Sequence, residues 1–126
     1  MQSSDAFDLE ATLKRLDGDR GLFRELINFF FEDSPIVIEQ LKAGLQAGNL
    51  SIVERAAHSL KGLTANVGSG PANRLAARIE DSARRKDLPA AAVSLGELVE
   101  AMARLTTALQ QFQTIPDPPP TGSQGV

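Results

Sequence analysis

Apolar residues recur every three or four positions along most of the chain, and no window alternates apolar with polar residues over the length of a strand. Spacing of three and four places side chains on one face of an α-helix, whereas alternation is typical of a β-strand. The pattern therefore predicts an all-α protein. The helical segments are separated by short breaks near Gly18, Gly48, Gly68 and Lys86.

Residues that favour helix starts precede each segment. Asp8 is a predicted N-cap for a short first helix that ends near residue 17. For the third helix two starts are open, since Asn49 is a good N-cap and Ser51 forms an S-x-x-E capping box with Glu54. The other segments are predicted to begin near Asp19, Gly70 and Pro89.

The second segment departs from a plain amphipathic helix at two places. Pro35 lies in its middle, and proline in a helix interior costs about 3 kcal/mol, so we expect a kink or a break near Asp33 and Ser34. Three consecutive phenylalanines, residues 29 to 31, span roughly 200° of the helical wheel and cannot all face one core. Either the helix is contacted on two sides, which we favour, or one ring is exposed for docking.

Connections of two to five residues force neighbouring helices to run antiparallel. The expected architecture is an antiparallel up-down four-helix bundle with a short additional N-terminal helix. Residues 1–7 are interpreted as a flexible leader, residues 8–115 as the helical bundle, and residues 116–126, which are rich in proline and glycine, as a disordered tail or linker.

Composition and charge narrow the classes of partner. The chain has 126 residues, the size of one domain, and a formal charge of -3 without a basic stretch that interleaves aromatic residues, which argues against nucleic acid as a partner. Neither a secretion signal nor eighteen consecutive apolar residues are found, so we expect a cytoplasmic protein without membrane contact. With no cysteine and one histidine, transition-metal sites are not expected. If the apolar faces of the helices are all buried within one bundle, the protein is expected to be a monomer.

The third segment places the only histidine of the chain on its outer face. At about 100° per residue, the core side centres on Leu60. That side also carries Val53, Ala56, Ala57, Leu63, Thr64 and Val67. The opposite side carries Ser51, Glu54, Arg55, His58, Gly62 and Ala65, with Lys61 at its flank. His58 is therefore predicted to face solvent.

The side chains near His58 favour a reaction of its imidazole with a negatively charged phosphoryl group. A neutral imidazole attacks phosphorus without a base to remove a proton first. Lys61, one helical turn along, is placed to offset the negative charge of a phosphoryl group. Gly62 costs about 0.8–1.0 kcal/mol in a helix interior relative to alanine, but it leaves space beside His58. Ala65 has a small side chain on the same face of the helix, so another protein's carboxylate has room to approach.

These residues carry a family resemblance. Residues 57–62, Ala-His-Ser-Leu-Lys-Gly, with Gly68 beyond them, resemble the H-x-x-K-G-x5-G signature of histidine-containing phosphotransfer (HPt) domains. The similarity extends to the Phe-Glu-Asp-Ser-Pro stretch at 31–35, the turn at 47–50 and the segment from Leu75 to Glu80, and so to most of residues 8–112.

The resemblance implies a role for each residue of the signature. His58 is then the phosphorylated residue, Lys61 assists the phosphoryl group, Gly62 gives a receiver domain room, and Gly68 allows close helix packing. Partner docking is expected at Ser51, Glu54, Arg55 and Ala65. In the related domains of chemotaxis-type kinases a glutamate orients the histidine, and Glu80 lies where that residue would be; alternatively, Glu80 is a solvated surface residue.

The expected function is a two-component phosphorelay intermediate that takes a phosphoryl group from one receiver aspartate and passes it to another. Partners would be receiver domains of response regulators or hybrid histidine kinases, and Mg2+ would be held by the receiver, with no cofactor in this chain. No nucleotide loop of the G-x-x-x-x-G-K-[ST] type occurs, so we do not expect an enzyme with its own ATP site, although the chain could be part of a hybrid sensor kinase. Two alternatives stay open: the substrate domain of a chemotaxis-type histidine kinase, and a non-catalytic helical adaptor.

Overall fold

The computed structural model describes residues 5–116, and the helices within this range account for nearly all of it. They are α1 (Leu9–Arg15), α2 (Arg20–Ala47), α3 (Leu50–Asn66), α4 (Gly70–Arg84) and α5 (Leu88–Thr114). No strand occurs in this part of the chain, so the predicted all-α class is confirmed.

Every helix begins at a residue whose side chain accepts a hydrogen bond from a backbone N–H of the first turn. These N-caps are Asp8, Asp19, Asn49, Ser69 and Asp87. Of the two starts predicted for α3, the structure has the first: Asn49 Oδ1 lies 3.1 Å from the backbone nitrogen of Ile52. The cap fixes where α3 begins.

The four long helices form the predicted antiparallel bundle. Two or three residues connect each to the next, and α2 and α4 each pack against both α3 and α5. The centre of the bundle contains fully buried large side chains from all four: Phe23, Ile27, Phe30 and Leu41 of α2, Leu60 of α3, Ile79 of α4, and Leu98, Leu105 and Leu109 of α5. Their burial is the main source of stability, at about 1.5–3 kcal/mol for each such side chain.

The short helix α1 is held against the turn between α3 and α4. The backbone nitrogen of Asp8 donates to the carbonyl of Gly68 at 3.0 Å. Gly68 has φ +77°, a conformation that favours glycine, and a Cβ there would collide with the hydroxyl of Thr12. Gly68 thus permits close packing, as expected, and the element that it admits is α1.

Three structural expectations drawn from the sequence need correction. Of the kink or break expected at Pro35, the break is wrong, because α2 is one continuous helix of 28 residues with Pro35 inside it. Large side chains before and after Pro35 are buried in the core, and their burial outweighs one lost hydrogen bond.

The three consecutive phenylalanines differ in exposure. Phe30 is buried and Phe31 half-buried, but Phe29 is 59% exposed, so packing of the helix on two sides does not account for Phe29.

Phe7, assigned to the leader, is buried with its ring centroid 5.9 Å from that of Phe23. This ring closes the end of the core next to α1. Residues 1–4 of the predicted leader and residues 117–126 of the predicted tail lie outside the described residues. None of the five helices is both long enough and apolar enough to cross a membrane.

Candidate functional site around His58

Helix α3 presents two distinct faces. Val53, Ala56, Ala57, Leu60, Thr64 and Val67 are buried, and Leu63 is half-buried, so the predicted core face is confirmed. The side chain of His58 is 70% exposed on the opposite face. The apolar stripe sets this orientation, because rotating the helix to bury the imidazole would expose the stripe.

The imidazole is held from below by a carboxylate of the neighbouring helix. His58 Nδ1 lies 2.8 Å from Oε2 of Glu80 on α4, and the Glu80 side chain is only 3% exposed. An ionised carboxylate only accepts hydrogen bonds, so Nδ1 carries the proton and donates it. The lone pair then resides on Nε2, the nitrogen available for nucleophilic attack. The solvated-surface interpretation of Glu80 is therefore wrong.

Glu80 is kept ionised by its other partners. Lys61 Nζ donates to Oε1 at 2.7 Å, and Arg84 Nη2 donates to Oε2 at 2.8 Å. The hydrogen bond from Lys61 is the largest reason that the pKa of Glu80 lies below its usual value, and the bond from His58 and the charge of Arg84 act in the same direction. Burial raises the pKa, but by less than these donors lower it.

Arg84 was not anticipated from the sequence. Its Nε donates to Glu54 Oε2 at 2.8 Å while its Nη2 donates to Glu80, so one guanidinium joins α3 to α4 beside His58. The signal that could have found it is its position four residues after Glu80, on the same helical face. Glu54, predicted for partner docking, takes part in this bridge. A second unanticipated residue, Asn73, donates to the carbonyl of Lys61 at 2.8 Å.

Gly62 lies exposed in the middle of α3, and a Cβ built on it would meet nothing within 4 Å. No intramolecular contact therefore requires glycine here. Together with residues of α2, it borders a shallow surface groove beside His58. The groove is lined by Asp33, Ile36 and Val37 of α2 and by Ser59, Gly62, Leu63 and Asn66 of α3.

The remaining predicted docking residues are spread along the same face. Ser51, Arg55 and Ala65 are all exposed on α3, so each is accessible to another molecule. Gly68, in contrast, faces α1 and is not part of the site. Within residues 5–116, no three His, Asp or Glu side chains are grouped so as to hold a metal ion.

Residues 25–114, which include His58 and all its partners, match the family model described as the Hpt domain. The chain belongs to the Hpt domain family. Members of this family are histidine phosphotransfer modules of phosphorelays, and they carry phosphoryl groups without a kinase site of their own. The matched range begins within α2 and ends at the last residue of α5.

Two solved structures have a similar fold. The chain is similar to histidine-containing phosphotransfer protein B (HptB) from Pseudomonas aeruginosa PAO1, with a TM-score of 0.79 and 26% identity, covering 86% of this chain and 95% of that one. It also shares the fold of the maize histidine-containing phosphotransfer protein ZmHP2, with a TM-score of 0.71 and 22% identity, covering 90% of this chain and 87% of that one. No curated protein matches the sequence.

Proposed function

We propose that Nε2 of His58 accepts a phosphoryl group from the aspartyl phosphate of one receiver domain and passes it to the aspartate of another. The observation that carries this proposal is the hydrogen bond between His58 Nδ1 and Glu80 on an otherwise exposed ring. It fixes the proton on the inner nitrogen and directs the reactive lone pair outward, and no other histidine occurs in the chain.

The transfer needs no acid or base from this chain. The Nε2 lone pair forms the N–P bond as the P–O bond to the aspartate breaks, and the electron pair of that bond stays on the departing carboxylate. The ring gains positive charge in this step, and the Glu80 carboxylate stabilises it through the Nδ1 proton. Mg2+ belongs to the receiver, where it offsets the charge on the phosphoryl oxygens.

Lys61 and Gly62 support the same step in different ways. A phosphoryl group brings a charge of about -1.5 to -2, and Lys61, 34% exposed and one turn from His58, is placed to stabilise it. Gly62 and Ala65 are small residues on the surface beside the imidazole, so the receiver aspartate has room to approach in line. The exposed residues Ser51 and Arg55 extend the docking face along α3, and the protein acts as a monomer.

A transfer assay tests the proposal directly. The chain is incubated with a receiver carrying labelled aspartyl phosphate, and we expect a label on the chain that is labile in acid and stable in base. The variant H58Q should take up no label while its circular dichroism and melting temperature stay those of the wild type. Label on H58Q, or none on the wild type with several receivers, would refute the assignment; the latter result is the one expected of an adaptor.

The bond to Glu80 also favours a second candidate function. A glutamate that orients the histidine is what the resemblance implies for the substrate domain of a chemotaxis-type kinase. The two functions differ in the phosphoryl donor. Incubation with a chemotaxis-type kinase core and ATP, in parallel with the phosphorylated receiver, separates them by the donor that labels His58 faster.

A further inference from the structure

The guanidinium of Arg84 is shared between two carboxylates next to His58. Nε donates to Glu54 and Nη2 to Glu80, so the Nε–Nη2 edge, one of the two guanidinium edges that can bind phosphate oxygens in a bidentate manner, is occupied. Arg84 and His58 donate to the same oxygen, Oε2 of Glu80, each at 2.8 Å. Their donor nitrogens therefore lie at most twice that distance apart, within reach of an arginine that changes its side-chain rotamer.

The charges of this cluster balance only while the histidine is unmodified. Lys61 and Arg84 are cationic and Glu54 and Glu80 are anionic, so with a neutral imidazole the net charge is zero. A phosphoryl group on Nε2 adds about two negative charges and leaves the site strongly anionic. Lys61 already donates a hydrogen bond to Oε1, the other carboxylate oxygen of Glu80. The remaining cation of the cluster, Arg84, is bound by Glu54.

We infer that Glu54 is a positioning residue that sets how strongly the module retains its phosphoryl group, by competing for Arg84. With Glu54 engaged, Arg84 is held back, and the phosphorylated histidine stays ready to give its group away. When Glu54 is released or neutralised, Arg84 turns its Nε–Nη2 edge to the phosphoryl oxygens and stabilises the phosphorylated state. This inference rests on the proposed phosphorylation of His58.

The location of Glu54 supports this role. It lies one helical turn before His58 on α3, on the face exposed to a docking protein, and its side chain is partly exposed. A docked receiver with a basic group near Glu54 would draw the carboxylate away from Arg84 and so change the retention of the phosphoryl group. The Glu54 to Arg84 bridge thereby couples the docking surface to the charge balance at His58.

The experiment compares substitutions at the two ends of the bridge. E54Q and R84Q each remove the same ion pair, but the first leaves Arg84 in place and the second removes it. The measured quantity is the equilibrium partition of labelled phosphoryl between the chain and a receiver. We expect E54Q to shift it about three- to tenfold toward the chain, the range for a partly solvated charged hydrogen bond. R84Q should shift it less, and toward the receiver, because Arg84 is held back by Glu54 in the wild type.

Two further variants make the comparison strict. The double variant E54Q/R84Q should match R84Q alone, since Glu54 acts only through Arg84. R85Q breaks the more exposed pair of Arg85 and Asp81 at the end of α4, and should leave the partition unchanged. Melting temperatures of all variants verify that each is folded.

The outcomes separate this inference from the proposed function. If wild type is labelled but E54Q and R84Q shift the partition in the same direction, or neither shifts it, the bridge is only structural and the inference is wrong. If E54Q still shifts the partition when Arg84 is absent, Glu54 acts by another route and the inference is likewise wrong. If wild type takes no label at all, the proposed function fails first.

Discussion

Replacing Gly62 by alanine should make this protein more stable and less able to transfer a phosphoryl group. A Cβ at this position would meet nothing within 4 Å, so the substitution introduces no clash within the fold. Alanine in a helix interior is favoured over glycine by about 0.8–1.0 kcal/mol. We therefore expect the free energy of unfolding to rise by about that amount and the melting temperature by about 3–5 °C.

The effect on transfer should have the opposite sign. If the receiver packs against the backbone at Gly62, an added methyl group forces the two proteins apart at the place where the aspartate must reach His58. Overpacking of a close contact costs about 1–3 kcal/mol. The rate of transfer at limiting receiver concentration should therefore fall roughly five- to 150-fold. Stopped-flow or quenched-flow measurement of label transfer from a receiver gives this rate.

Gly96 supplies a matched control. It too is exposed in the middle of a helix, α5, and a Cβ on it would also meet nothing within 4 Å. G96A should gain the same stability but transfer at the wild-type rate. Gly44 differs from both, since a Cβ there would lie 2.8 Å from Cγ2 of Ile52. If G62A transfers as fast as G96A, the receiver does not need the bare backbone beside His58, and the docking geometry proposed here is refuted.

Three further predictions concern Glu80 and the groove. In E80A the proton of His58 should move from Nδ1 to Nε2, visible in the ring 15N NMR shifts, and transfer should slow by about tenfold; an unchanged tautomer would contradict the role of Glu80. Because the pKa of Glu80 is lowered below 4.5 in the folded state, the stabilisation from its ionised form is complete above pH 4.5 and is lost as the pH falls through the folded pKa. E80Q should accordingly show a shallower loss of melting temperature in acid than wild type, and equal slopes would argue against this assignment. I36D, at a position 58% exposed in the groove, should weaken receiver binding about tenfold in calorimetry with no change in melting temperature, whereas V93D on α5, at a similarly exposed valine, should not affect binding.

The sequence was sufficient for most helix boundaries and for the orientation of α3. Capping residues and apolar spacing are local signals, so the start of α3 at Asn49 or Ser51 and the outward direction of His58 follow from residues close together in the chain. The position of Phe7 was missed because a single aromatic residue before α1 has no periodic pattern to assign it to the core. Pro35 was misjudged because its local cost is visible in sequence, whereas the burial that outweighs it depends on the whole bundle.

The charge network beside His58 was harder to predict, since it depends on the rotation of α4 relative to α3. Glu80 is 22 residues from His58, and nothing local distinguishes an inward-facing glutamate from a solvated one. Arg84 was overlooked for the same reason, as arginines on helix surfaces are common and seldom matter individually. Once α3 and α4 are packed antiparallel, Glu54, His58 and Lys61 follow one direction while Arg84, Glu80 and Asn73 follow the other, and the pairs form.

The two open glycines show why stability alone does not explain the residues of this site. Gly62 and Gly96 each leave the fold less stable than alanine would, and neither is required by an internal contact. What distinguishes Gly62 is that His58 lies one turn before it, on the same exposed face. A contact that exists only when a receiver is bound would account for glycine at 62 through transfer rather than through folding. Selection for stability alone would favour alanine at both positions, whereas selection for transfer would act on Gly62 and leave Gly96 free to vary.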